Sequence, residues 1–119
     1  MQRVVLRAKI HRARVTDADL DYEGSCAIDP ELMRAADIVD GEQVHIVNIS
    51  NGSRAITYAI PGKPGQVGLN GAMAHIGGRG DTVIIIAYAH VDEAELAAHR
   101  PRVVHVDSEN RAREEVVVS

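Results

Sequence analysis

At 119 residues the chain is long enough for one domain with its own core, and no internal domain boundary is expected. Hydrophobic residues make up 45% and charged ones 25%, and with no Phe, no Trp and three Tyr the core must be aliphatic. A net charge of -4 offers no basic field for a nucleic acid, the apolar run Val83 to Ala89 is far short of the ~20 residues that span a bilayer, and a single cysteine, Cys26, excludes an internal disulfide or a thiolate metal cluster.

Taken in order, Leu6, Ala8 and Ile10 are apolar while Arg7, Lys9 and His11 are polar, the period of a half-buried strand with three basic side chains on one face. At Ala13 and Val15 the apolar positions turn odd, with Arg12, Arg14 and Thr16 polar, which predicts a bulge or bend near Arg12. Asp17 to Tyr22 reads as a turn or loop, and Cys26 to Ile28 as a short strand. Asp29-Pro30 reads as the N-cap and first position of a short helix, with Leu32, Met33 and Ala36 inward and Gly41 ending the unit. A strand follows from Gln43 to about Ile49, with a hairpin turn at Ser50 to Ser53 and a return strand from Arg54 to Ile60. Parity puts Arg54, Ile56 and Tyr58 on one side and Thr57 on the other, so Thr57 joins the same site only if the strand presents its edge or twists.

Pro61 to Gly65 is an exposed connection, and Val67 to Leu69 a short strand. Asn70 can cap a brief helix over Gly71 to His75, whose leading N–H groups suit a carboxylate. Gly77 to Asp81 turns into Thr82 to Val91, where Val83 to Ala87 is apolar at every position, as in a central strand covered on both faces. Asp92 and Glu95 start a short helix ending near His99, and Val103, Val104 and Val106 form a last strand. The charged tail beyond Asp107 ends in Val116 to Val118, a frayed strand or subunit contact with no function assigned. Many short strands, few helices and no βαβ spacing point to a closed, mostly β barrel.

One stretch, Tyr22-Glu23-Gly24-Ser25-Cys26, carries chemistry. Glycine tolerates strained angles and lets the next hydroxyl approach its carbonyl carbon, so Ser25 is placed to attack its own preceding peptide bond. With Lys9-Ile10-His11-Arg12, Val15-Thr16, Ala18-Asp19-Leu20 and Ala27-Ile28-Asp29, this stretch closely resembles the pyruvoyl-dependent aspartate 1-decarboxylase family. Asn51-Gly52, Arg54, Thr57-Tyr58-Ala59-Ile60, Asn70-Gly71-Ala72, Ala74-His75 and Gly80-Asp81 follow in family order, carrying the resemblance over about residues 1 to 107.

The resemblance implies a double-psi β-barrel that cleaves itself between Gly24 and Ser25 into segments 1–24 and 25–119. It implies a pyruvoyl group made from Ser25, which serves as electron sink through a Schiff base, with no external cofactor. Aspartate would be converted to β-alanine for pantothenate synthesis. Tyr58 would be the proton donor, a phenol still protonated at neutral pH. Arg54 and Lys9 would hold the retained carboxylate, and the N–H groups of Gly71, Ala72 and Met73 the other. Thr57 would serve processing and binding, while His11, Asn70 and Tyr22 support the pocket. Two departures from the family are Met73, where Ala is usual and whose bulk narrows the pocket, and a shorter 61–65 connection.

The other histidines are scattered, so no metal site is expected, and Cys26 reads as a small buried filler rather than a reactive thiol. No signal-peptide pattern opens the chain, making the expected location cytoplasmic, with no nucleic acid or membrane partner. A homotetramer is carried over from the resemblance, and whether maturation needs an accessory factor stays open. The alternative is a non-catalytic barrel module that binds a ligand or protein without cleavage.

Overall fold

Alternation at the N-terminus builds the strand around which the others close. In the computed structural model, which describes the backbone of residues 1–117 and side chains as far as Arg113, β1 (Gln2–Arg14) buries Ala8, Ile10 and Ala13. Its parity changes at Arg12, which sits at φ 65 while the pairing register slips between Ile10 and Ala13. This is the expected bulge, and it turns β1 toward β2 (Asp17–Asp19).

Then come β3 (Ser25–Ile28), helix α1 (Pro30–Ala36), β4 (Gln43–Asn48), β5 (Arg54–Pro61), β6 (Val67–Asn70) and a 3₁₀ turn (Gly71–His75). β7 (Thr82–Asp92), α2 (Glu93–Leu96), β8 (Arg102–Val106) and β9 (Ala112–Val117) complete the described residues. The strands form one hydrogen-bonded order, β2-β6-β3-β5-β4-β7-β1-β8-β9. Although β1 and β2 are neighbours in the chain, β2 lies at the far end of that order. The segment between them closes the structure through Val15 N to Asp81 O and Thr16 N to Val67 O, each 2.8 Å. The architecture is a double-psi β-barrel.

The interior is aliphatic. Ile10, Ile28, Ile46, Leu69, Ile85 and Leu32 are its largest fully buried side chains, each contributing roughly 1.5–3 kcal/mol on burial. Among the polar side chains buried with them, Asn48 is fully enclosed. Asn48 donates to Ile76 O (2.8 Å) and Asp81 Oδ2 (3.0 Å) and accepts from Ser50 N (2.8 Å), so no group on it is orphaned.

Asp29 caps α1 through Oδ1 to Glu31 N (2.8 Å) and ties the 61–65 connection through Oδ2 to Gly65 N (2.7 Å). The helix stops before Gly41. Asp37 takes the left-handed conformation (φ 57) and Ile38 N reaches back to Met33 O (2.8 Å), closing the last carbonyls; Gly41 instead ties the next turn to Ala59 O. α2 is a single turn, with Asp92 N donating to Glu95 Oε1 at 3.2 Å.

Three further expectations are corrected. Asp17–Asp19 is a strand rather than a loop, because its backbone pairs in parallel with Gly68–Asn70. β8 is not the last strand: β9 runs antiparallel to it as far as Val117, in keeping with the strand offered as one alternative for the tail, and Val118 lies outside the described residues. β7 is central, between β1 and β4, but covered on one face: Val83, Ile85 and Ala87 are buried, whereas Ile84, Ile86 and Tyr88 are only partly so. No helix among the described residues is long and apolar enough to cross a membrane.

Candidate active site

Ser25 opens β3 rather than preceding it, which fixes its surroundings. It pairs with Asn70 across the antiparallel β3–β6 ladder, while Cys26 pairs with Ala59 in the parallel β3–β5 ladder. Only 1% of Ser25 is exposed. Its hydroxyl donates to Glu23 O (3.0 Å) and accepts from Asn70 Nδ2 (3.1 Å). Two hydrogen bonds thus fix the rotamer of a hydroxyl from which water is excluded.

Asn70 occupies the N-cap position of the 3₁₀ turn but makes no capping bond, because its amide is committed to Ser25. Nor does Gly24 behave as the sequence suggests. It lies outside the left-handed region, and a methyl group there would meet no heavy atom within 4 Å.

β3 and β5 pair from Ala59 onward, and one step back along that register Ser25 lies beside Tyr58. The edge of Thr57 and Tyr58 on this side is outside the ladder, next to the bend at Gly24. Both residues could serve Ser25 together only by such an edge-on approach, because parity puts Tyr58 on one face and Thr57 on the other. Tyr58 is 39% exposed and Thr57 half-buried.

Arg54 and Tyr58 share the outer face of β5, as their alternation requires. The Arg54 guanidinium donates to the Tyr88 hydroxyl at 2.8 Å and lies 3.2 Å from His45 Nδ1, with the His45 and Tyr88 rings edge-to-face at 4.8 Å. Lys9 is elsewhere on that face, in a row running Lys9, Ile86, His45, Ile56 across β1, β7, β4 and β5. β5, β4 and β7 lie between β1 and β3 in the ladder order, and Lys9 does not line the cavity beside Asn70.

His11 packs edge-to-face on His105 at 5.4 Å. Burial first, then His105, Lys9 and Arg12, lower its pKa. Ala72 is exposed, whereas Met73 is partly buried and packs against the core. Cys26 is fully buried, and desolvation followed by Asp17 pushes its thiol up to about 12; it is a filler rather than a nucleophile at neutral pH. No three His, Cys, Asp or Glu side chains converge as metal ligands among the described residues.

Beside Asn70 opens a cavity of about 380 Å³, lined also by Tyr22, Ala27, Asp17, Asp19 and Gln66. The last three were given no role from sequence. Asp17 accepts from Thr16 Oγ1 (2.6 Å) and from Gln66 Nε2 (3.1 Å to Oδ2), which makes it part of the cavity wall rather than a solvated loop. The signal was the polar–apolar–polar run Asp17-Ala18-Asp19, too short to separate from a turn.

In comparison with known proteins, residues 1–113 match the aspartate decarboxylase family. The chain is 61% identical over 112 residues to an aspartate 1-decarboxylase of Mycolicibacterium smegmatis, with 92% of this chain and 82% of that protein covered.

Proposed function

The chain belongs to the aspartate decarboxylase family, and from that premise we propose that Ser25 is its catalytic position, created by cleavage of the Gly24–Ser25 bond. The enzyme is a pyruvoyl-dependent carboxy-lyase that converts L-aspartate to β-alanine and carbon dioxide, the step that feeds pantothenate biosynthesis.

In maturation, Ser25 Oγ attacks the Gly24 carbonyl carbon and the peptide C–N bond gives way to an ester. Loss of the Ser25 Cα proton with departure of the Gly24 carboxylate leaves dehydroalanine, and water addition with ammonia release leaves the pyruvoyl group on segment 25–119. Glu23 O is the group bonded to the hydroxyl proton, and Asn70 holds the oxygen. Thr57, at the free edge beside the bend, is the donor for the oxyanion of the acyl shift. The desolvated Ser25, with Asn70 on Oγ and a cavity alongside, is the observation that carries this reading.

A pyruvoyl group supplies the electron sink for loss of the α-carboxylate. The chain's residues do the rest. Tyr58, one residue before the Ala59 that pairs with Cys26, returns a proton to the product carbon. The N–H groups of Gly71, Ala72 and Met73 hold one carboxylate, and Tyr22 shapes the wall beside Asn70; His11, expected in the same pocket, lines a separate cavity with His105 and Arg14.

Lys9 and Arg54 select the other carboxylate from a neighbouring copy in a homotetramer. Supporting this are the lining of the cavity beside Asn70, which includes neither Lys9 nor Arg54, and the partly exposed apolar face of Ile56, Ile84 and Ile86 between them. The enzyme works in the cytoplasm.

Intact mass of the purified chain over time, with β-alanine formation in parallel, tests the reading. The expected result is conversion to two segments and activity that rises with cleavage, whereas a persistent 119-residue species that decarboxylates aspartate overturns it. Cleavage without any added protein marks maturation as spontaneous. For the shared site, mixing subunits carrying Arg54→Ala with subunits carrying Ser25→Ala should restore activity that neither has alone.

A further inference from the structure

We infer that Gly71, more than Gly24, is the glycine on which self-cleavage depends, because its bare Cα is the seat against which the scissile backbone rests. The inference rests on the reading of Ser25 as a self-processing residue and assigns a positioning role to a residue otherwise expected to bind substrate through its N–H.

A Cβ at Gly71 would lie 2.7 Å from Gly24 Cα, 2.8 Å from Gly24 N and 3.1 Å from Tyr22 O. Carbon atoms in contact sit about 3.5–4.0 Å apart, so one of the two segments would have to move by roughly 1 Å. All three obstructing atoms are main chain and have no rotamer to escape into. Position 24 is the reverse case, since a Cβ there meets nothing within 4 Å. The backbone angle agrees: Gly71 is at φ 64, where L side chains are strained, and Gly24 is not.

The displacement would fall between the reacting atoms. Ser25 is held independently of Gly24, by its ladder pairing with Asn70 and by the Asn70 amide on Oγ. Pushing Gly24 while Ser25 stays put separates the hydroxyl from the carbonyl carbon it must attack. Misplacement on the 1 Å scale is enough to slow such a step about 100-fold. Two adjacent residues therefore hold the two halves of the reaction, Asn70 the nucleophile through its side chain and Gly71 the acyl group through the absence of one.

Gly71→Ala, Gly71→Asn and Gly24→Ala are compared with wild type by intact mass over time, with and without hydroxylamine to release any ester, alongside thermal melts. Asn tolerates a positive φ but keeps the Cβ, so it separates contact from backbone strain. Gly78→Ala, at an open position with no left-handed angle, serves as a control that cleaves normally. Expected are cooperative melts for all variants, cleavage at least about 100-fold slower for both Gly71 variants, and no hydroxylamine-sensitive species in them. Gly24→Ala should slow cleavage by no more than about tenfold. Wild-type cleavage by Gly71→Asn, or equal loss in Gly24→Ala and Gly71→Ala, overturns the inference. Loss of the melt in both Gly71 variants does so too, because the effect is then on folding. A wild type that never cleaves removes the underlying reading instead.

Discussion

Asn70 and Ser25 are partners twice over, paired in the backbone of the β3–β6 ladder and joined by Asn70 Nδ2 donating to Ser25 Oγ at 3.1 Å. Removing the donor leaves the buried hydroxyl held only by its bond to Glu23 O. A hydrogen bond of about 1–1.5 kcal/mol corresponds to roughly a tenfold rate effect. Asn70→Ala should therefore cleave about tenfold more slowly and lose about 1–2 kcal/mol of stability. Asn70→Asp, which keeps the shape but cannot donate when ionised, should cleave as slowly. Wild-type kinetics of chain splitting in both would remove Asn70 from this role.

Tyr58 separates maturation from turnover. Its hydroxyl is not among the groups bonded to Ser25 Oγ, so Tyr58→Phe should yield both segments at a rate close to wild type. Loss of the proton donor should then lower kcat by about 10²–10⁴ with a smaller change in KM. An unchanged kcat for β-alanine formation would show that another group delivers the proton.

How much of this was legible in the sequence depends on the range of the interaction involved. The bulge at Arg12 was readable because a parity switch between Ile10 and Ala13 is a one-residue event in a period-two pattern. The face shared by Arg54 and Tyr58 followed from the same period. The Gly24–Ser25 site is proposed from its motif, but the sequence put the conformational demand on Gly24, where the structure has room. It could not register that Gly71 abuts Gly24, because contact at the end of the β3–β6 ladder, between residues far apart in the chain, leaves no local pattern. Nor could it see that Asn70 serves Ser25 rather than its own turn. β2 was missed because three residues offer too few alternations to outweigh the turn propensity of Asp17, Asp19 and Asp21.

Arg54 is restrained before any substrate arrives. Its bond to the Tyr88 hydroxyl at 2.8 Å holds the guanidinium on the outer face, beside His45. Arg54→Ala should reduce kcat/KM by about 10²–10³, the loss expected when a charge-assisted carboxylate contact of about 3–4 kcal/mol disappears. Tyr88→Phe should raise KM only a few-fold, since the cation remains and only its restraint is lost. Matching losses in the two variants would mean that Tyr88, rather than Arg54, meets the carboxylate.

Asn110, unremarkable in sequence, bridges the C-terminal region to the bulged strand. It is 1% exposed at φ 62, accepts from Arg14 N (2.7 Å), and donates to Arg14 O (2.7 Å) and Gly65 O (3.0 Å). Asn110→Ala breaks three bonds and strains a left-handed residue, at a cost of about 2–4 kcal/mol in urea unfolding. Asn110→Gly suits the angle but makes none of the bonds. If Asn110→Gly were as stable as wild type, the bonds would contribute nothing and the angle alone would explain the residue.

His11 gives the fold a pH dependence of definite sign. Burial, then His105, Lys9 and Arg12, lower its pKa from 6.5 in the folded chain, while Arg14, Asp107 and Arg113 line the same cavity and Glu114 pairs with His105. Between the folded pKa and 6.5 the unfolded chain binds the proton and the folded one does not, so stability rises with pH across that window and falls as it is acidified. Asp81 and Asp107 act in another range. Backbone hydrogen bonds hold both below 3.8, and their contribution is lost only as pH falls through those lower values. The urea midpoint of wild type should therefore drop between pH 7.5 and 5.5 by more than that of His11→Gln, with the His11 ring resonance titrating below its free value. Parallel midpoints for the two proteins would mean that the dependence arises elsewhere.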